Sequence, residues 1–134
     1  SRIADWFIQT EVREASAPQR TSIEARYGAL PAAVAEALAL METHIADPLS
    51  LEQLAGLVGL SSRQLQRQFS AAGRASVMKT YQDIRLALAH ELIQTTHRSV
   101  ADIAQMTGFS AISVFSAAFR RRYSTTPRQA KGSR

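Results

Sequence analysis

Between Ser62 and Arg67 every residue except Leu65 carries a hydrogen-bonding side chain. Leu65 and Phe69 lie four apart, as on the inward face of a helix, which turns Ser62, Arg63, Gln64, Gln66 and Arg67 outward. A guanidinium can pair bidentately with guanine, and a carboxamide with adenine, in a DNA major groove. The same side chains would also serve phosphate contacts or an ordinary solvated helix face. Other chemistry finds little support. Only His44, His90 and His97 could act as imidazole bases, their spacing matches no metal motif, and the chain has no cysteine. His90-Glu91 reads as an exposed polar pair. The serines sit at helix caps and on outward faces, without a nucleophile-elbow pattern. A catalytic site needs a mutually positioned constellation, and none is visible, so we expect no enzyme, no cofactor and no metal.

The elements that must position the Arg/Gln face come from an internal repeat. Ser50, Leu51, Leu54, Ala55, Leu57, Gly59, Leu60 and Ser61 recur 49 residues later as Ser99, Val100, Ile103, Ala104, Met106, Gly108, Phe109 and Ser110. Leu65 and Phe69 recur as Phe115 and Phe119, now 50 residues on, so the second copy has one extra residue after its turn. In each copy a serine caps a helix, with Gln53 or Asp102 three residues on as in a capping box. The apolar positions form a buried stripe, and the alanine allows close helix crossing. The glycine ends the helix in the left-handed conformation, and Leu60 or Phe109 plugs the turn. Ser61 or Ser110 then caps a second helix. Each copy is a helix-turn-helix. The outward positions of the second copy become Ile112, Ser113, Ser116 and Ala117, which suit thymine methyl contacts, water-mediated reading or close helix approach.

Around the repeat, Ile3 to Glu14 reads as a short helix and residues 15–28 as a loop. Pro31 opens a helix bearing Val34, Leu38, Met41 and Ile45, stopped by Asp47-Pro48. Val77 to about Thr95 reads as one long helix with Tyr81, Ile84, Leu88 and Leu92 on its apolar face and Ala87, Ala89 and Ile93 beside it. Such a helix would hold two reading units at the roughly 34 Å spacing of successive major grooves. The expected fold is therefore all-α, with two helix-turn-helix subdomains joined by a long linker helix, a homeodomain-like tandem. Residues 31–75 form the first subdomain, 76–96 the linker and 97–134 the second. Residues 1–30 read as a junction, and the start at Ser1 as a fragment boundary.

Charge follows the same division. Residues 1–50 hold four Lys/Arg against seven Asp/Glu, a net −3, whereas residues 51–134 hold twelve against four, a net +8. A basic C-terminal two-thirds suits a polyanion or a solvated charged face. No apolar run approaches a membrane span and no signal peptide opens the chain, which, with the lack of cysteine, fits a cytoplasmic setting.

Together these residues resemble the AraC/XylS family of bacterial transcription regulators. The resemblance runs from Leu49 to Gln129. It includes Leu51-Glu52-Gln53-Leu54-Ala55, Gly59, Ser61, Leu65-Gln66-Arg67-Gln68-Phe69, Arg85-Leu86, Val100 to Ala104, Gly108-Phe109-Ser110, Phe119-Arg120 and Pro127. Met41 to Ile45 and Pro48-Leu49-Ser50 are similar to a narrower subset, in which a glutamine-amidotransferase-like sensor domain precedes the DNA-binding part. The Trp6-Phe7 helix and the Gln19-Arg20 loop are similar to the end of that sensor. Three positions depart from the family pattern: Arg74 (with Gly73 before it) where glycine is usual, Val77 where proline is usual, and Ser124 where glycine is usual.

The resemblance implies sequence-specific double-stranded DNA as partner. It places base reading at Arg63, Gln66 and Arg67, and by the repeat at Ile112, Ser113, Ser116 and Ala117. Ser62, Gln64, Ser110, Arg120 and Arg121 would contact the DNA backbone. The first unit then carries most of the discrimination. The second adds backbone contacts and shape selection. Arg120 to Arg122 also lie near a helix C-terminus, where positive charge is favourable without DNA. Lys79, Arg98 and Arg128 are further phosphate-contact candidates. The resemblance further implies recruitment of RNA polymerase by an activator, and an effector bound upstream, an amino-acid-like or quaternary-ammonium metabolite. It also implies a dimer through the upstream domain, while this stretch alone can be monomeric. The competing class is a helical protein-interaction module that does not read DNA, which the Gln/Arg-bearing second helices argue against.

Overall fold

The computed structural model describes residues 30–132, and the expectations for the Ile3–Glu14 helix and the following loop lie outside them. Seven helices and no strand occur among the described residues: α1 Ala32–Thr43, α2 Leu51–Leu57, α3 Ser62–Ala71, α4 Val77–Thr95, α5 Val100–Met106, α6 Ile112–Tyr123 and α7 Pro127–Gly132. They fall into two compact units. One comprises residues 30–44 and 49–81, the other residues 45–48 and 82–132, so that α4 belongs to both.

In the first unit α1, α2 and α3 pack on one another. Val34, Leu38 and Met41 from α1, Leu54 and Ala55 from α2, and Leu65 and Phe69 from α3 are almost wholly buried. Pro31 sits at the N-cap of α1, where its missing N–H costs nothing. The helix ends at Thr43, earlier than Asp47-Pro48. The reason is local capping: His44 Nδ1 lies 2.9 Å from Leu40 O, the Thr43 hydroxyl donates to Leu40 O at 3.1 Å, and His44 N donates to Met41 O at 3.3 Å. Ile45 is buried but no longer helical. The Tyr81 hydroxyl donates to His44 O and accepts from Leu49 N at 2.9 Å, fixing the chain on both sides of this segment.

The turns of the two repeats close in the same way. Leu60 N donates to Ala55 O and Phe109 N to Ala104 O, both at 2.9 Å, while Gly59 and Gly108 carry φ of 80° and 83°. This is the six-to-one closure of a glycine-ended helix. The plugs differ: Phe109 is buried, Leu60 only half-buried. Leu57, expected in the stripe, is 61% exposed as the last residue of α2, whose buried residues are Leu54 and Ala55.

The second unit buries Leu86, Ala89 and Ile93 of α4 with Ile103, Ala104, Phe109, Phe115, Ala118, Phe119 and Ala130. Of the expected α4 face, Tyr81 and Leu88 are buried while Ile84 and Leu92 are half-buried; Leu86, Ala89 and Ile93 complete the buried set and Ala87 is exposed. Periodicity alone could not choose between these neighbouring stripes. Arg85 fastens the second turn. Its Nε donates to Thr107 O at 2.8 Å, its Nη2 to Gly108 O at 2.7 Å, and its guanidinium lies 4.1 Å from the Phe109 ring centroid. His90 is not an exposed polar partner of Glu91 but half-buried, stacked 4.5 Å from the Tyr123 ring. At the departures from the family pattern, Gly73 rather than residue 74 takes positive φ, and Ser124 adopts the left-handed conformation itself at φ 61°.

Candidate nucleic-acid interface

The outward face of α3 is held by a reciprocal cap. The Ser61 hydroxyl accepts from Gln64 N at 3.1 Å, and Gln64 Oε1 accepts from Ser61 N at 2.9 Å. An N-cap of this kind contributes about 1 kcal/mol. It also turns the Gln64 carboxamide back on the helix start. Arg63 and Arg67 are exposed, one turn apart, with Ser62 and Gln66 half-buried beside them. Ser62, Arg63, Gln66 and Arg67 line a shallow open depression of about 470 Å³, together with Leu51 and Ser70.

From sequence, Leu51 reads only as a repeat position and Ser70 not at all; neither is assigned to this face. Ser70 follows from the i, i+3, i+7 spacing of Arg63, Gln66 and Ser70. Leu51 belongs to another helix, so only tertiary packing reveals it. Gln66 is constrained at its oxygen: Oε1 accepts from Val77 N at 3.1 Å. At the same helix start the Ser76 hydroxyl accepts from Lys79 N at 3.1 Å.

In the second unit, α6 begins one residue later than a strict copy would. Ala111, not Ser110, is the N-cap, and alanine offers no side-chain acceptor. The expected Ser110 cap is therefore corrected; the extra residue after the turn displaces it, leaving Ser110 exposed. Ile112 is 48% exposed and Val114 53%, while Ser113 and Ala117 are exposed and Ser116 is half-buried. Val114 is a further outward apolar residue beyond those expected. In the first unit Asp102's counterpart, Gln53, completes a reciprocal box with Ser50; in the second, Ser99 accepts from Asp102 N at 3.0 Å.

Arg120, Arg121 and Arg122 fill the exposed last turn of α6, where they favour the helix dipole. The Arg122 guanidinium lies 4.9 Å from the Tyr123 ring centroid, a packing role of its own. Burial pushes the Tyr123 phenol above its ordinary value, opposed by Arg122 and assisted by Asp83. Lys131 Nζ donates to Arg98 O, tying α7 to the loop before α5. No group of three or more His, Cys, Asp or Glu that could hold a metal occurs among the described residues, and none of their helices is long and apolar enough to cross a membrane.

Comparison with known proteins fits this geometry. A family profile described as a helix-turn-helix domain matches residues 54–132. The HTH-type transcriptional regulator GlxA of Rhizobium meliloti is 40% identical over 126 residues, 94% of this chain and 39% of that protein. The HTH-type transcriptional activator RhaS of an Enterobacter species is 35% identical over 97 residues, 72% of this chain and 35% of that protein. The chain thus spans about two fifths or less of these curated relatives. A solved transcriptional regulator of the AraC-type DNA-binding domain class from Chromobacterium violaceum superposes with a TM-score of 0.71 at 37% identity, covering 75% of this chain and 89% of that one. The chain belongs to the AraC-type family of helix-turn-helix DNA-binding domains of transcription regulators.

Proposed function

We propose that the first unit reads promoter bases through Arg63, Gln66 and Arg67 on α3, and that the second reads mainly backbone and shape through α6. The observation that carries this is the α3 face: two exposed arginines and a half-buried glutamine around the Leu51 depression, on a doubly capped helix. Arginine recognises guanine N7 and O6 bidentately, and an apolar floor suits a thymine methyl. Ser62 and Gln64 sit by the helix start, where phosphate oxygens are favoured. On α6, Ile112, Ser113, Ser116 and Ala117 approach bases through apolar or small surfaces. The first-turn amides and Ser110, with no side-chain cap competing, take phosphate, as do Arg120 and Arg121.

In this reading residues 31–75 and 97–134 are the two reading subdomains, 76–96 the linker that spaces them for successive major grooves, and 1–30 the junction to an upstream sensor. The whole protein acts as a cytoplasmic activator that recruits RNA polymerase, dimerises through the sensor domain and binds a small-molecule effector there. The similarity to GlxA and RhaS supports the regulatory role.

The test is selection from a random duplex library at two salt concentrations. A bipartite site with halves about one helical turn apart, and affinity falling steeply with salt, is expected. Binding that enriches no sequence would refute base reading by this chain alone, and absence of binding at both salts would favour a protein-interaction module.

A further inference from the structure

We infer that Gln66, its Oε1 held inward by Val77 N, turns its amino group to DNA, so that the first unit selects guanine at that position in place of the bidentate contact to adenine. The inference rests on the proposed base reading by α3 and deepens it.

A carboxamide has one acceptor end and one donor end. Bidentate recognition of adenine uses both, with Oε1 accepting from N6 and Nε2 donating to N7. Here Oε1 is engaged by Val77 N at 3.1 Å. The first amides of a helix have no intrahelical partner, and Val77 opens α4. Val77 is wholly buried, so its N–H has no water to turn to; without Gln66 a buried donor would be orphaned. The backbone donor also fixes which end of the amide faces which way. With Oε1 on Val77, it is the Nε2 amino group that can serve the depression shared with Arg63 and Arg67. Both arginines are donors only. The three long polar side chains of the face therefore all present N–H groups. Guanine offers two major-groove acceptors, N7 and O6; adenine N7 and thymine O4 offer one each, adenine beside an N6 donor that would be left unmatched, and cytosine N4 offers only a donor.

The chemistry turns on one backbone atom. A proline at position 77 would carry no N–H and would leave Oε1 free. Proline is well suited to the first position of a helix, and Ser76 as the residue before it caps α4 from outside the helix.

The experiment compares binding-site selections by the wild-type chain, Gln66→Glu and Val77→Pro, with thermal unfolding of each. Wild type should prefer a G·C pair over an A·T pair at the position facing Gln66, with guanine on the contacted strand. Gln66→Glu keeps an oxygen for Val77 N but turns the outward group from donor to acceptor; preference there should move to cytosine by on the order of fivefold or more, with little loss of melting temperature. Val77→Pro frees Oε1 and should bring adenine up by a similar factor. A strong wild-type preference for an A·T pair at that position, or a Gln66→Glu selection unchanged at that position while the rest of the site is retained, would overturn the inference. Failure of the wild-type chain to select any sequence would instead strike the underlying base-reading proposal.

Discussion

The paired glycines Gly59 and Gly108 occupy equivalent turns with nearly equal φ, yet their surroundings differ sharply. A Cβ at Gly59 would meet nothing within 4 Å, whereas at Gly108 it would lie 2.4 Å from Ile45 O, 2.6 Å from Pro48 Cγ and 2.8 Å from Pro48 Cδ. Replacing either by alanine imposes a left-handed conformation costing about 1–2 kcal/mol. Restricting the unfolded chain returns about 0.4–1 kcal/mol, so Gly59→Ala should cost about 1 kcal/mol. Gly108→Ala carries the same strain and must also displace a carbonyl and a rigid ring, which adds about 1–3 kcal/mol by analogy with overpacked cores. The two variants should therefore differ by about 2 kcal/mol. For a chain of 134 residues that is a separation of roughly 8 °C in melting temperature. Urea and thermal unfolding followed by circular dichroism would measure it. Hydrogen exchange should localise the larger loss to residues 82–132. Equal losses, or a larger one at Gly59, would refute the claim that close approach, beyond φ alone, fixes glycine in the second turn.

Ser124 holds φ 61° without being glycine, so Ser124→Gly should stabilise by about 0.5–1 kcal/mol, the relief of left-handed strain less the added unfolded-state freedom; a lower midpoint in urea would contradict this. Arg85→Met removes both charge-assisted bonds to Thr107 O and Gly108 O and should cost about 1.5–3 kcal/mol. Arg85→Lys should recover only part of that, since an ammonium cannot reproduce the planar fork, and full recovery in the same denaturation assay would count against the geometry. Tyr123 has a raised phenol in the folded state. Its contribution is complete below the unfolded value near pH 10 and is lost as pH rises through the higher folded value, because the folded state then binds the proton that the unfolded chain has released. Tyr123→Phe should flatten that alkaline decline relative to wild type, and parallel curves would show that the phenol is not responsible.

The repeat made most of the fold legible, because each copy spells out a cap, a stripe, a glycine and a second cap at fixed offsets. Ser50, Ser61, Gly59 and Gly108 do what their spacing implied. Where the reading slipped, the competing interaction was one that spacing does not encode. The end of α1 is decided by His44 and Thr43 side chains folding back on carbonyls. The buried face of α4 keeps Tyr81 and Leu88 but is completed by Leu86, Ala89 and Ile93 in place of Ile84 and Leu92, because packing within the second unit decides between neighbouring stripes. The cap of α6 moved to Ala111 because one inserted residue lengthens the turn. Of the interface, the outward set on α3 followed from Leu65 and Phe69 alone. Leu51 and the Gln66–Val77 bond did not, because both join segments that only the fold brings together.

The most direct test of base reading by α3 compares Arg67→Ala with Arg121→Ala on the selected site and on single-base variants of it, across a salt series. Arg67→Ala should cost about 1–3 kcal/mol on the selected site and relax preference at one base pair. Arg121→Ala should weaken binding uniformly across sequences and reduce the salt slope by about 1. If Arg67→Ala instead lowers affinity uniformly, with every base preference intact and the salt slope reduced, then α3 holds the backbone and the bases are read elsewhere.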